Sequence, residues 1–223
     1  MIIHNATLET CMDVRDAVVV IDVLRAFTTA AYAFGAGTKE NLLVSSVAEA
    51  FDLREKQPGL LLMGEVDGLP IDGFDFGNSP SVLERLSLRG RRIVHRTSAG
   101  TQGAVACRNA SLLLAASFVC AQATADYIRT RQLESVAFVI TGARRDRDGD
   151  DDQACAEYIA ALVGGENPPP EPYLERVEAS FSGRIFSDPA QPEFSLADLE
   201  CALELDRYPF AMKVERQNER LVL

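Results

Sequence analysis

Between residues 17 and 163, short apolar runs alternate with stretches whose apolar positions recur at helical spacing. The runs are AVVVIDVL from Ala17, NLLVS from Asn41, GLLLMG from Gly59, RRIVHRT from Arg91, SLLLAAS from Ser111 and SVAFVIT from Ser135. They are continuously apolar rather than alternating, the pattern of strands buried on both faces. Between them, Ser46 is placed to cap a helix through Ala48 and Phe51, Ser79-Pro80 opens another at Pro80, and Gln153 to Leu162 keeps helical spacing. This alternation predicts an α/β fold, a three-layer α/β/α arrangement around a largely parallel or mixed sheet of about six strands.

After Gly164 the segment ENPPPEP holds four prolines in seven residues and stops any helix. Helical stretches follow from Tyr173 to Phe181 and from Ser195 to Leu205, then a strand-like FAMKVERQ. We therefore read residues 1–165 as an α/β catalytic core and residues 166–223 as a C-terminal flank or lid packed on the same domain.

Composition narrows the partners. The 223 residues carry 22 Lys+Arg against 33 Asp+Glu, a formal charge of −11, with no Lys/Arg block. A basic face for nucleic acid is disfavoured. No apolar stretch approaches the roughly 20 residues of a bilayer span, and the start MIIHNATLET lacks the layout of a signal peptide, so a cytoplasmic protein without membrane attachment is expected. Five cysteines without a CxxC pair, and only two histidines, offer neither a disulfide framework nor a thiolate or histidine metal site.

In open α/β sheets ligands bind beyond the carboxyl ends of the strands. Five such ends carry polar motifs. Asp22 ends the first run, where an ionised carboxylate costs several kcal/mol unless compensated by a metal or by a cation such as Arg25. A purely structural Asp22–Arg25 pair is the bland alternative. Glu65 follows LLLM between glycines, as a functional carboxylate or a turn residue. The loop IDGFDFGNSP brings Asp75, Asn78 and Ser79 to a helix start. The strand RRIVHRT runs into Ser98-Ala99-Gly100-Thr101, whose backbone N–H groups and hydroxyls suit an oxyanion, with Arg96 and Thr97 leading in. There, Ser98 or Thr101 as a mere helix cap is the ordinary reading, and His95 reads as a packed residue. Finally, TGARRDRDGDDD places Asp150, Asp151 and Asp152 before a helix, where one or two complete a Mg²⁺ site or serve the helix dipole. Neither a P-loop nor a GxGxxG fingerprint occurs. Carboxylates for a hard cation beside donors for an anion point to phosphate-ester chemistry.

IDVLRAFTTA, GEVDGLPIDGFDFGNSP, RTSAGTQG, AASFVCAQATA and TGARRDRDGDDDQACAEYIAALVGG, in this order, resemble the 2-phosphosulfolactate phosphatase family. The resemblance implies an α/β/α fold and a Mg²⁺-dependent phosphatase that releases phosphate from 2-phospho-3-sulfolactate, a small anionic phosphoester, in a step toward coenzyme M. Carried over, it makes Asp22, Arg25 and Glu65 catalytic. Asn78, Ser79, Thr97, Ser98, Gly100 and Thr101 then bind substrate, and Asp22, Glu65 and Asp75 hold the metal; from the residues themselves, Arg96 is expected to join the substrate set, and Asp151, of the three aspartates at 150 to 152, the metal set. Water is the preferred nucleophile over Asp22, because the aspartyl phosphatases carry a second Asp where this chain has Leu24. The rival reading is a non-catalytic anion-binding or regulatory module of the same fold. A second is a phosphotransferase. A homo-oligomer is compatible with either.

Overall fold

A computed structural model describes residues 1–143 and 147–223. All six strands expected from the apolar runs form, but they divide between two sheets. In chain order the strands are β1 (Ile2–Thr7), β2 (Ala17–Ile21), β3 (Glu40–Leu43), β4 (Leu61–Val66), β5 (Leu69–Pro70), β6 (Arg92–Arg96), β7 (Leu112–Ala116), β8 (Ser135–Ile140), β9 (Met212–Lys213), β10 (Glu215–Gln217) and β11 (Arg220–Val222). One sheet has the order β1-β8-β2-β7-β9, the other β10-β11-β3-β6-β4-β5. β1, β8, β2 and β7 are parallel, as are β3, β6 and β4, and the short outer strands close each sheet antiparallel.

The helices are α1 (Ala26–Gly35), α2 (Val47–Lys56), α3 (Pro80–Leu83), α4 (Gly100–Ala106), α5 (Ala121–Arg129), α6 (Asp150–Val163), α7 (Glu171–Ala179), α8 (Phe181–Phe186) and α9 (Leu196–Ala202). Ser46 caps α2 as expected, its side chain accepting from the Glu49 N–H at 3.1 Å. The expected helix from Tyr173 to Phe181 is two helices, because Ser180 ends α7 in extended backbone and caps α8 by accepting from the Gly183 N–H.

Side-chain alternation explains the continuous apolar runs. Val18 and Val20 of β2, Ala137 and Val139 of β8, and Leu43, Met63 and Ile93 of the other sheet bury into one core with Phe27, Ala30 and Ala31 of α1 and Ala104 of α4. Val19, Ile21, Val136 and Phe138 face the opposite way, onto Ala125 and Ile128 of α5 and Ala154 and Ile159 of α6. Leu42, Leu62 and Val94 face Ala50 and Leu53 of α2. Each sheet is thus the middle of an α/β/α stack, and the two stacks share α1 and α4. Strand type is a local property, but pairing joins residues far apart in sequence, so one sheet of six and two sheets of mixed strands read alike along the chain.

Candidate active site

The carboxyl ends of the two sheets meet over one cavity of about 160 Å³. Asp22, Leu24 and Arg25 come from the end of β2, Glu65, Asp67 and Gly68 from the end of β4, and Ser98 and Ala99 from the end of β6. Asn78 and Arg147 add to the wall, and the flank beyond residue 181 closes it with Ser182, Ile185, Phe186 and Phe194. The cavity has space for a small metabolite. Of the expected site residues, Asp22, Arg25, Glu65, Asn78 and Ser98 are brought to this wall.

Two glycines make the convergence possible. Gly64 holds φ at +145°, and a Cβ there would sit 1.8 Å from the Arg96 carbonyl oxygen, so only glycine lets β4 lie this close to β6 just before Glu65. A Cβ on Gly100 would sit 2.7 Å from Asp22 Oδ2. Its absence lets α4 start directly on that carboxylate.

The turn at 98–101 does something other than expected. The sequence suits its N–H groups to a phosphate, but the Ser98 N–H donates to Glu65 Oε1 at 2.6 Å, the Gly100 N–H favours the ionised Asp22 carboxylate, and the Thr101 N–H donates to Thr97 Oγ1 at 3.0 Å. The physical reason is the cost of burying Asp22 and Glu65, which the nearest free donors offset. Thr97 and Thr101 are correspondingly turned toward each other, the Thr97 N–H donating to Thr101 Oγ1 at 2.8 Å, and neither lies on the cavity wall. Arg96 donates to the Glu65 carbonyl and to Ser98 Oγ, bracing the turn from behind.

Asp22 and Glu65 are both buried, and among the described residues no Lys, Arg or His pairs with either. Glu65 is held by Ser98 and by the Gly68 N–H, which donates to Oε2 at 2.6 Å. Burial pushes the Asp22 carboxyl up to about 7 against the N–H of Ala26, and the charges of Glu65 and Asp151 push the same way. Arg25 is not its partner. That guanidinium donates to Asp198 Oδ2 at 2.9 Å and to the Gly68 carbonyl at 3.1 Å, which corrects the Asp22–Arg25 pair.

The acidic start of α6 divides its labour. Asp150 pairs with Arg176. Asp152 accepts from the N–H groups of Val23 and Gly142 and from the Thr141 hydroxyl, tying α6 to the ends of β2 and β8, and burial raises its pKa well above the usual carboxylate range. Asp151 is buried, pushed up to about 6 by that burial, and interacts with Asp22 through charge, but it does not line the cavity. Arg144, Arg145 and Asp146 of that motif lie outside the described residues.

Two further expected site residues do not line the cavity. Asp75, assigned to the metal, accepts from the Leu62 N–H at 2.7 Å and pairs with Arg54 at 3.4 Å, away from Asp22 and Glu65, because the loop needs an acceptor for the free edge of β4. Ser79, assigned to substrate, donates to Asp198 Oδ1 at 2.7 Å. His95 is fully buried between Asn41 and Asn78, and burial pulls it down to about 3, so it is a neutral packed residue. Phe186, Phe194, Asp198 and Arg147 were missed, and no local pattern marks them.

Among the described residues no three acidic, histidine or cysteine side chains form a set able to hold a metal by themselves. Mg²⁺ does not ask for one. It is typically bound by one or two carboxylates together with water and substrate phosphate, and Asp22 and Glu65, buried and paired with no cation among the described residues, fit that donor set. No helix among the described residues is long and apolar enough to cross a membrane.

The sequence model described as 2-phosphosulpholactate phosphatase matches residues 3–181. A Bacillus subtilis (strain 168) protein named probable 2-phosphosulfolactate phosphatase is 37% identical over 206 residues, 92% of this chain and 89% of its own. A Thermus thermophilus protein of the same name is 34% identical over 213 residues, covering 90% and 85% of the two chains. One from Carboxydothermus hydrogenoformans is 42% identical over 147 residues, 66% of this chain and 60% of its own. With most of its length matched, and the match including the strand ends that carry Asp22, Glu65 and Ser98, the chain belongs to the 2-phosphosulpholactate phosphatase family.

Proposed function

We propose that the chain is a phosphoric monoester hydrolase acting on a small 2-phospho-hydroxyacid, with 2-phospho-3-sulfolactate as its substrate and Mg²⁺ as its cofactor. The observation that carries this reading is the meeting of Asp22 and Glu65, two buried carboxylates from different sheets that have no cation partner among the described residues, in one cavity with the Arg25 guanidinium. The names of the relatives supply the substrate.

Mg²⁺ held by Asp22 and Glu65 would supply a Lewis acid for the phosphoryl oxygens and a water of lowered pKa. The chain's own groups do the rest. Ser98 and Gly68 fix the Glu65 carboxylate from both sides, so it keeps one orientation. Asp22 Oδ1 is occupied by the Ala26 N–H at 2.8 Å, which makes it a poor nucleophile and favours water as the attacking group. Arg25 offers the donors its partners leave over to an anionic group of the substrate. Ile185, Phe186 and Phe194 cover the apolar side of the cavity and exclude bulk water there.

The test is phosphate release from 2-phospho-3-sulfolactate and 2-phospholactate, measured with Mg²⁺ and with EDTA. Metal-dependent release is expected. Release from neither substrate contradicts the reading and leaves the anion-binding module standing.

A further inference from the structure

We propose that Asp198 is a positioning residue for this site, acting through Arg25. Asp198 lies in α9, in the flank beyond the family match at residues 3–181, and its side chain is 1% exposed. Its two oxygens have separate tasks. Oδ1 accepts from Ser79 Oγ at 2.7 Å, from the Ser81 N–H at 3.0 Å and from Ser81 Oγ at 2.7 Å, which pins the carboxylate to the start of α3. Oδ2 is left for Arg25, 2.9 Å away and 173 positions earlier in the chain.

The same flank packs the cation. The Arg25 guanidinium carbon lies 4.9 Å from the Phe186 ring centre and 5.3 Å from that of Phe194, and the two rings are 5.3 Å apart and edge-on to each other. A further N–H reaches the Gly68 carbonyl beside Glu65. Arginine has five N–H donors in a rigid fork, so holding two of them on fixed acceptors aims the others. The Arg25–Asp198 pair has no net charge. What it presents to the cavity is direction, a set of donors already oriented before an anion arrives, and preorganised donors bind without the ordering cost of a free side chain.

The inference rests on the phosphatase reading for its kinetic readout, and a binding readout keeps the two separable. In Asp198→Asn the retained oxygen still accepts from Ser79 and Ser81, while an amide N–H replaces the acceptor that faces Arg25. With 2-phospholactate as substrate, KM is expected to rise about tenfold or more with kcat within about threefold. In an Arg25→Gln background, adding Asp198→Asn is expected to change KM by less than about twofold, the non-additivity of residues acting as one unit. Ser81→Ala, which removes the hydroxyl bonds to Asp198 Oδ1 and Ser79 Oγ and leaves the Oδ2 contact with Arg25 untouched, is expected to lower the melting temperature with KM unchanged.

The binding arm is calorimetry of 2-phospholactate with the Asp22→Asn protein, in which turnover is removed. Adding Asp198→Asn is expected to weaken binding about tenfold, whether or not the wild type releases phosphate. Affinity and KM both within about twofold of the parent overturn the inference, as does an absence of binding to the Asp22→Asn protein. A wild type that releases no phosphate overturns the phosphatase reading alone.

Discussion

Asp22 and Asp198 are equally hidden, 5% and 1% exposed, yet they are opposite kinds of buried acid. Asp198 is saturated: a guanidinium on one oxygen, two hydroxyls and an N–H on the other. Among the described residues Asp22 has backbone donors only, stands near Glu65, Asp151 and Asp152, and is pushed up to about 7 by burial and by the charges of its neighbours. A fold built only for stability would place Arg25 on Asp22, three residues away. Here Arg25 reaches instead to the far end of the chain, and Asp22 is left in a state that a divalent cation would relieve. Burial alone does not separate structural from functional carboxylates, whereas the identity of the partner does.

The largest expected effect is on turnover. Asp22→Asn removes the un-neutralised carboxylate and lowers the rate of phosphate release by about 10³-fold or more, while the metal-free protein melts no lower than the wild type. Asp198→Ala gives the reverse pattern in stability. It leaves Arg25 buried without its partner and costs about 3–5 kcal/mol, roughly 10 °C in melting temperature by thermal unfolding. If the two variants destabilise alike, the distinction between saturated and frustrated acids fails.

The next effect is on pH dependence. A carboxyl whose folded pKa lies above its unfolded value of 3.8 holds its proton more tightly in the folded state. Its burial is therefore free of charge cost at low pH and becomes destabilising as pH rises from about 4 through about 7 for Asp22 and about 6 for Asp151. In EDTA, the melting temperature of Asp22→Asn minus that of wild type should widen across this window and level off above it. Mg²⁺ should raise the wild-type melting temperature at pH 8 and have little effect at pH 5, where protons compete for the same oxygens. A constant difference across the window contradicts the assignment.

The smallest effect is expected at Asp75. Its pair with Arg54 is a third exposed on both sides, so Asp75→Asn should change stability by no more than about 1 kcal/mol and phosphate release by no more than about twofold. A large loss of turnover would return Asp75 to the site.

Much of the frame was legible in the sequence, because strands buried on both faces write themselves as unbroken apolar runs. β1 was not, since most of its residues are exposed on an edge and it carries His4 and Asn5 among its apolar residues. The pairing into two sheets was not, because register between distant strands leaves no local trace. In the site, Asp22, Glu65 and Ser98 stand out as polar residues ending buried runs. Asp75, Ser79, Thr97 and Thr101 stand out as polar residues of the adjoining loop and turn, and their bonds are made within loop and turn structure. Residue type and position show that a polar group must be satisfied, not whether a ligand or a neighbouring N–H satisfies it. Asp198 was illegible for the complementary reason: within an ordinary amphipathic helix, nothing shows that its partner is 173 residues away.

The central claim is that Asp22 and Glu65 together form the cation side of a phosphoester site. Its most direct test is calorimetric titration of Mg²⁺ at pH 8 into wild type, Asp22→Asn and Glu65→Gln. The account predicts one site in the wild type, weakened about tenfold or more in each variant. A wild type that binds no Mg²⁺, or variants that bind it as the wild type does, would contradict it.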